Sequence, residues 1–157
     1  MKIKVLDFEQ VAVCYKPYVD AVTALEDKGT KLREELTSMQ TEAMSLMVPE
    51  EGAPELDDTQ KAENQQKFQR IQQEAMLKDK SFKMEADEEQ RRIVMMSYDG
   101  ISAIVKKHVE SNDEVDVVFN RSEIVYYKPE ADLTQTVIDI IKESGDYTDV
   151  RLKDFKA

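Results

Sequence analysis

Eight positions early in the chain, Val22, Leu25, Gly29, Leu32, Leu36, Met39, Ala43 and Leu46, succeed one another in alternating steps of three and four. That is the a/d seam of a heptad repeat. It predicts a helix over residues 17–47 that packs along its length against a partner helix. Pro17 fits the first turn of such a helix, where its missing N–H costs little. Gly29 is the odd member of the seam. It offers no knob and costs about 1 kcal/mol of helix propensity relative to Ala. It reads either as a soft point or as a place where two helices come close.

The seam stops at "VPEEGAPELDD", a stretch with two prolines and a glycine that predicts a turn over residues 48–58. Its five acids, Glu50, Glu51, Glu55, Asp57 and Asp58, make an acidic tip, and Asp58 is the expected N-cap of a second helix. Residues 59–111 contain no proline and one glycine, Gly100. They read as a single helix on the order of 75 Å long. Its early seam is Phe68, Ile71 and Ala75, and its late seam is Ile93, Met96, Ile101, Ile104 and Val105. Between them only Phe82, Met84 and Ala86 interrupt a polar stretch. A helix this long and polar is expected to stand in solvent as one arm of a helical hairpin, with residues 17–47 as the other arm.

At both chain ends the period changes. "IKVLDF" at residues 3–8 alternates as a strand does, and a short helical turn is expected near residues 10–13. "VDVVF" and "EIVYY", on either side of the turn-like "NRS", predict a β-hairpin beside the first strand. "ADLTQTVIDIIKESG" predicts a closing helix with Thr134 as N-cap, a Leu133–Ile138 staple and Gly145 at the C-cap. The expected fold class is α+β, a long antiparallel coiled-coil hairpin on a small β body. The segments are body 1–16, hairpin 17–111, body 112–145 and tail 146–157. Three strands and one helix leave bare edges and an uncovered face. Val5, Val117, Phe119, Ile124 and Tyr126 are therefore expected to join copies of the body into an oligomer. In the tail, Val150 and Leu152 alternate with Arg151 and Lys153 and suggest an edge strand, anchored by Tyr147 and Phe155.

The net charge of −11, from 22 basic and 33 acidic residues, argues against a nucleic-acid partner, which needs clustered Lys and Arg. The basic residues between 78 and 92 are interleaved with acids and read as a solvated helix face. Cys14 is the only cysteine, so no intrachain disulfide is possible, and it reads as a small packing residue. No apolar run approaches the roughly 20 residues of a membrane span, so stable membrane insertion is not expected. "MKIKVLDFEQ" does not read as a signal peptide. The chain is expected to be cytoplasmic, or periplasmic if a signal was removed ahead of residue 1. His108, the only histidine, has no partner ligands at helical spacing, and the acidic tip lacks EF-hand spacing. With no nucleophile–base pair, metal set or phosphate loop in view, neither catalytic residues nor a metal or cofactor are expected.

Apart from Met1, every methionine falls on the two arms. Thioethers suit surfaces that bind varied apolar partners, and they also fill seams. Met39, Met44, Met47, Met76 and Met84, with Phe68 and Phe82, are the candidate contacts for an apolar client.

"KIKVLDFEQV", the central coiled-coil hairpin and "VDVVFNRSEIVYYKPEADLTQTVIDIIK" together resemble the Skp/OmpH family of periplasmic chaperones, over roughly residues 2–143. The resemblance implies a homotrimer with a small β body and three tentacles around a cavity. It implies an ATP-independent holdase that cages unfolded outer-membrane proteins. It brings no catalytic residues. A second reading stays open, a trimeric coiled-coil structural or assembly adaptor without holdase activity.

Overall fold

The structure is a computed structural model and describes residues 1–112 and 115–153. In chain order the elements are strand β1 (Ile3–Leu6), helix α1 (Phe8–Ala12), helix α2 (Lys16–Met47), helix α3 (Asp58–Glu110), strand β2 (Val117–Asn120) and helix α4 (Thr134–Ser144). Short 3-10 turns stand at Arg121–Glu123 and Pro129–Ala131. The chain forms two compact units, Ala24–Glu89 and a second made of Met1–Thr23 with the described residues from Gln90 onward. Helices α2 and α3 each pass through both.

The unit Ala24–Glu89 is an antiparallel helix pair. Asn64 Nδ2 donates to the Leu46 carbonyl at 3.2 Å, Lys78 reaches Glu35 at 2.5 Å, and the Phe82 ring lies against Gly29. On the α2 side, the residues withdrawn from water are Leu25, Gly29, Leu32, Leu36, Met39, Ala43 and Leu46, the predicted seam and nothing else. On α3 the withdrawn positions include Asn64, Phe68, Ile71, Ala75, Lys78, Phe82, Ala86 and Glu89. Phe82 and Ala86 are thus seam residues, and Met84 is not. Gly29 resolves as a close approach, because the Phe82 ring edge lies 3.4 Å from where a β-carbon would stand and a longer side chain would meet it.

The start of α3 is capped one residue earlier than predicted. Asp57 Oδ1 accepts from the Gln60 N–H at 2.7 Å, and Gln60 Oε1 accepts from the Asp57 N–H at 3.0 Å. This reciprocal box satisfies two amide donors at once, which Asp58 at the N-cap could not do with the residue three places on.

In the other unit the period of α3 changes. Its buried residues are Ile93, Ser97, Ile101 and Val105, four apart. A four-residue ridge packs across neighbouring elements instead of along a coiled-coil partner. Met96, predicted for this seam, is 42% exposed, and the buried Ser97 takes the place beside it. Ser97 stays satisfied by donating its Oγ–H to the Val94 carbonyl at 2.9 Å. Ile101 and Val105 join Leu6, Val11, Ala12, Cys14, Leu133, Val137, Ile138 and Ile141 in one apolar core.

The sheet has two strands. β1 and β2 run parallel, with Ile3 opposite Val117 and Val5 opposite Phe119. The predicted β-hairpin is not formed. After Asn120 the chain enters a 3-10 turn, with Ile124 N–H donating to the Arg121 carbonyl, and Arg121 binds Asp7 at 3.0 Å. This turn leaves Ile124 extended and the chain bends at Val125, and among the described residues no strand pairs with "EIVYY". β propensity marks a segment fit for pairing and does not supply the partner.

Two further expectations are corrected at the C-terminal end. α4 begins at Thr134, whose N–H donates to Asp132 Oδ1 at 2.9 Å, so Asp132 does the capping predicted for Thr134. The Thr134 hydroxyl accepts from the Asp7 N–H at 2.9 Å instead. Gly145 ends α4 at φ 83°, a left-handed conformation that only glycine adopts freely. The tail docks through residues 146–148 and not as an edge strand at 150–153. Lys16 N–H donates to the Asp146 carbonyl at 2.7 Å, and Thr148 N–H donates to the Cys14 carbonyl at 2.9 Å. Tyr147 and Leu152 pack on the core, while Val150 is 74% exposed. Phe155 lies outside the described residues.

Candidate functional site

Each unit carries an apolar surface that its own core does not use. In the helix pair, the seam packs Met39, Phe68 and Phe82 partly out of water. The other candidate contacts are left in it. Met44 is 53% exposed, Met47 44%, Met76 65% and Met84 67%. Side chains of this size exposed so far are not filling a gap between the two helices. Between Leu36, Ala43, Phe68 and Ile71 the pair opens a cleft of ≈ 420 Å³. Lys78 clamps the helices, held by Glu35 and also 3.7 Å from Glu74. The hydrogen bond and charge of Glu35 raise the Lys78 pKa above its ordinary value.

The second surface lies beside the sheet. Val5 is buried, Val117 and Ile124 are half-buried, Phe119 is 42% exposed and Tyr126 is 79% exposed. Val125 is fully exposed. All but Val117 and Val125 line a shallow apolar recess of ≈ 540 Å³, together with Tyr127.

A polar network fixes the segment that carries Val125 and Tyr126. Asp7 Oδ1 caps α1 by accepting from the Gln10 N–H, and its Oδ2 accepts from Arg121. Tyr127 donates its hydroxyl to Asp132 Oδ2 at 3.3 Å, and the Arg121 guanidinium stands 6.0 Å from the Tyr127 ring centre. Partial burial pushes the Asp132 carboxyl up. Hydrogen bonds from Thr134 and Tyr127, with the Arg121 charge, outweigh it and hold the carboxyl below its ordinary value. Removal from solvent and the Asp132 charge raise the Tyr127 hydroxyl, which stays protonated and able to donate. Burial, with Asp146, likewise raises that of Tyr15.

The tip acids Glu50, Glu51, Glu55, Asp57 and Asp58 are all exposed. Among the described residues no group of His, Cys, Asp and Glu is placed to hold a metal ion, and no helix is long and apolar enough to cross a membrane. His108 sits in the last turn of α3, where its carbonyl accepts from Ser111. Cys14 is buried.

The sequence profile of the family described as "Outer membrane protein (OmpH-like)" matches residues 2–141. The chain belongs to the OmpH-like family. A candidate outer membrane chaperone (OmpH-like) from Caulobacter crescentus CB15 has a similar crystal structure, with a TM-score of 0.57 at 15% identity, over 91% of this chain and 85% of that one. At that identity the likeness speaks for the fold alone. No curated protein matches the sequence. The α+β architecture of this OmpH-like chain, two long helices with a small sheet, is thus that of its family.

Sequence reasoning missed the contacts that pin the OmpH-like body together. Tyr15 lies over Gly100, and Asp7, Arg121, Tyr127 and Asp132 form one network. A small residue at Ser97 and none at Gly100, one turn apart on α3, was the available signal that something bulky crosses the helix there.

Proposed function

We propose that this OmpH-like chain is a chaperone that holds unfolded clients without ATP, as a trimer whose helix pairs enclose them. The exposure of Met44, Met47, Met76 and Met84 carries the reading. Of the thioethers of the pair only Met39 joins the seam, and Met44, Met47, Met76 and Met84 stay in water, where they cost solubility unless something apolar binds them. Such side chains adapt to clients of varied shape. Avidity over several arms retains a client through weak single contacts. On the family's description we take the clients to be unfolded outer-membrane proteins and the compartment to be the periplasm.

Assembly through the sheet-side surface is the second half of the proposal. Phe119, Val125 and Tyr126 expose apolar area on and beside "EIVYY", a segment of strand composition with no strand partner among the described residues of its own chain. Edges of that kind invite pairing with another copy. Native mass spectrometry at micromolar concentration is expected to show three 18.1 kDa chains, and monomer alone would remove the trimer.

Light scattering tests the holding activity. An unfolded outer-membrane protein diluted out of denaturant is expected to aggregate alone. It should stay dispersed when the protein is present at a molar excess of trimer, with or without ATP. Unchanged aggregation in the presence of an intact oligomer would overturn the reading and leave the adaptor role in its place.

A further inference from the structure

We infer that one face of the helix pair takes an extended, uncharged polypeptide segment, and that Gln40 and Gln72 bind its backbone. This deepens the chaperone reading above and rests on it.

The two faces of the pair differ in chemistry. The 3.6-residue period sets Gln40, Met44 and Met47 on one flank of the α2 seam and Gln65, Gln72 and Met76 on one flank of the α3 seam. Gln40, Met44 and Gln72 line the same cleft, so these two flanks share a face. Glu35 and Lys78, joined at 2.5 Å, belong to the opposite flanks, with Glu42, Lys67 and Glu74. One face is thus ionic. The other has an uncharged cleft with apolar walls, bounded along the same flanks by Arg33 on α2 and by the Asp79–Lys83 ion pair on α3.

The chemistry of this lining selects the occupant. A charged side chain entering the cleft would leave water without meeting a counter-ion, which is costly. An uncharged side chain meets Leu36, Phe68 and Ile71. Glutamine amides carry both donors and an acceptor. A helical segment has already satisfied its backbone groups internally, whereas an extended one offers a free N–H and C=O at each residue. In an extended segment, alternate side chains point the same way. One set can enter the cleft while the backbone lies along the Gln40 and Gln72 amides. The partner is therefore an unfolded stretch of alternating apolar and neutral polar residues.

Fluorescence anisotropy with a labelled, N-acetylated and C-amidated twelve-residue peptide of alternating Leu and Thr tests this on the full-length protein. Two companion peptides carry two Glu or two Lys in place of Leu. The neutral peptide is expected to bind, and both charged ones roughly tenfold or more weakly. Gln72→Glu should weaken the neutral peptide by a similar factor and shift preference toward the Lys peptide. Gln73→Glu makes the same charge change one residue away, outside the cleft, and should leave binding as it was. Both sites are exposed, and circular dichroism checks that both variants stay helical. Equal binding of all three peptides, equal behaviour of the two variants, or no binding by the wild type would overturn the inference. Suppression of aggregation by the wild type would in each of those cases keep the chaperone reading alive, so the two failures are distinguishable.

Discussion

The Tyr15 hydroxyl lies over Gly100 so closely that a β-carbon on Gly100 would stand 2.5 Å from it, and 3.2 Å from the ring atoms Cε1 and Cζ. α3 has no other glycine, and this one lets the aromatic ring cross the helix next to the buried Ser97. Gly100→Ala improves helix propensity by about 1 kcal/mol. It also forces the half-buried ring to move, and overpacking of that kind costs about 1–3 kcal/mol. The clash wins, and Gly100→Ala is expected to lower the melting temperature. In a Tyr15→Phe background the nearest atom is gone, so the same substitution should cost less. Equal losses in the two backgrounds, by thermal or urea unfolding, would show that the hydroxyl is not the obstacle.

Gly29→Ala is expected to act in the opposite direction. The nearest atom to a β-carbon there is Phe82 Cζ at 3.4 Å, an ordinary contact distance. Propensity then decides, and the variant should gain up to about 1 kcal/mol in urea unfolding. Gly29→Leu would fill the place of the ring edge and should destabilise. A loss of stability in Gly29→Ala would mean that Phe82 has no room to adjust.

Legibility in the sequence tracks the range of the contacts. The seam from Leu25 to Leu46 is readable residue by residue, because both its helices repeat one rule and each seam position meets a similar neighbour. Ser97, Tyr15 and Gly100 are not, because a four-residue ridge crossing several elements has no fixed periodic signature. "EIVYY" has the composition of a strand, and only the turn held by Arg121 and Asp7 shows that no neighbour among the described residues receives it. On the helix pair the methionines are legible as a group. Which of them fill the seam and which stay in water depends on single helical steps, as Met39 and Met44 show.

Stability should fall in acid partly through Asp132. Its carboxyl is depressed below the ordinary value by Thr134, Tyr127 and Arg121, against the opposing effect of burial. A depressed folded-state pKa contributes stability that is fully present above the unfolded value, about 3.9, and is lost as pH falls through the folded value. Asp132→Asn is expected to cost about 1 kcal/mol of stability at pH 7, seen as a lower melting temperature. It should also flatten the decline in melting temperature below about pH 4. A variant with the wild-type acid slope would show that other carboxylates account for it.

Removing residues 146–157 is expected to destabilise the body without changing the oligomeric state. The deletion breaks the bonds from Lys16 to Asp146 and from Thr148 to Cys14, and removes Tyr147 and Leu152 from the core surface they cover. Both side chains are half-buried, so the loss is about 2–3 kcal/mol. For a chain of this size that is roughly 5–10 °C in melting temperature. Gly145 keeps its N–H bond to the Lys142 carbonyl, while the bond from the Asp146 N–H to the Ile141 carbonyl goes with the tail. An unchanged melting temperature would mean that the tail does not hold to the body in solution.

Salt should act on client capture and not on client retention. Residues 26–58 hold three basic and ten acidic residues, net −7, and residues 59–111 hold ten basic and nine acidic. The negative charge is concentrated toward the loop, whose Glu50, Glu51, Glu55, Asp57 and Asp58 are all exposed. Exposed charges act over about 10 Å at 0.1 M salt and about 3 Å at 1 M. The association rate of an acidic unfolded client should therefore rise with salt, and that of a basic client should fall. The cleft between the helices has no charged residue in its lining, so dissociation of either client should change little. Stopped-flow fluorescence separates the two rates. Replacing the five acids with Gln or Asn should flatten both association trends. Asp57→Asn belongs in that set because Asn caps a helix about as well as Asp, so α3 keeps its start. Dissociation rates that vary with salt as steeply as association rates would mean that charge, and not the neutral cleft with its methionines, holds the client.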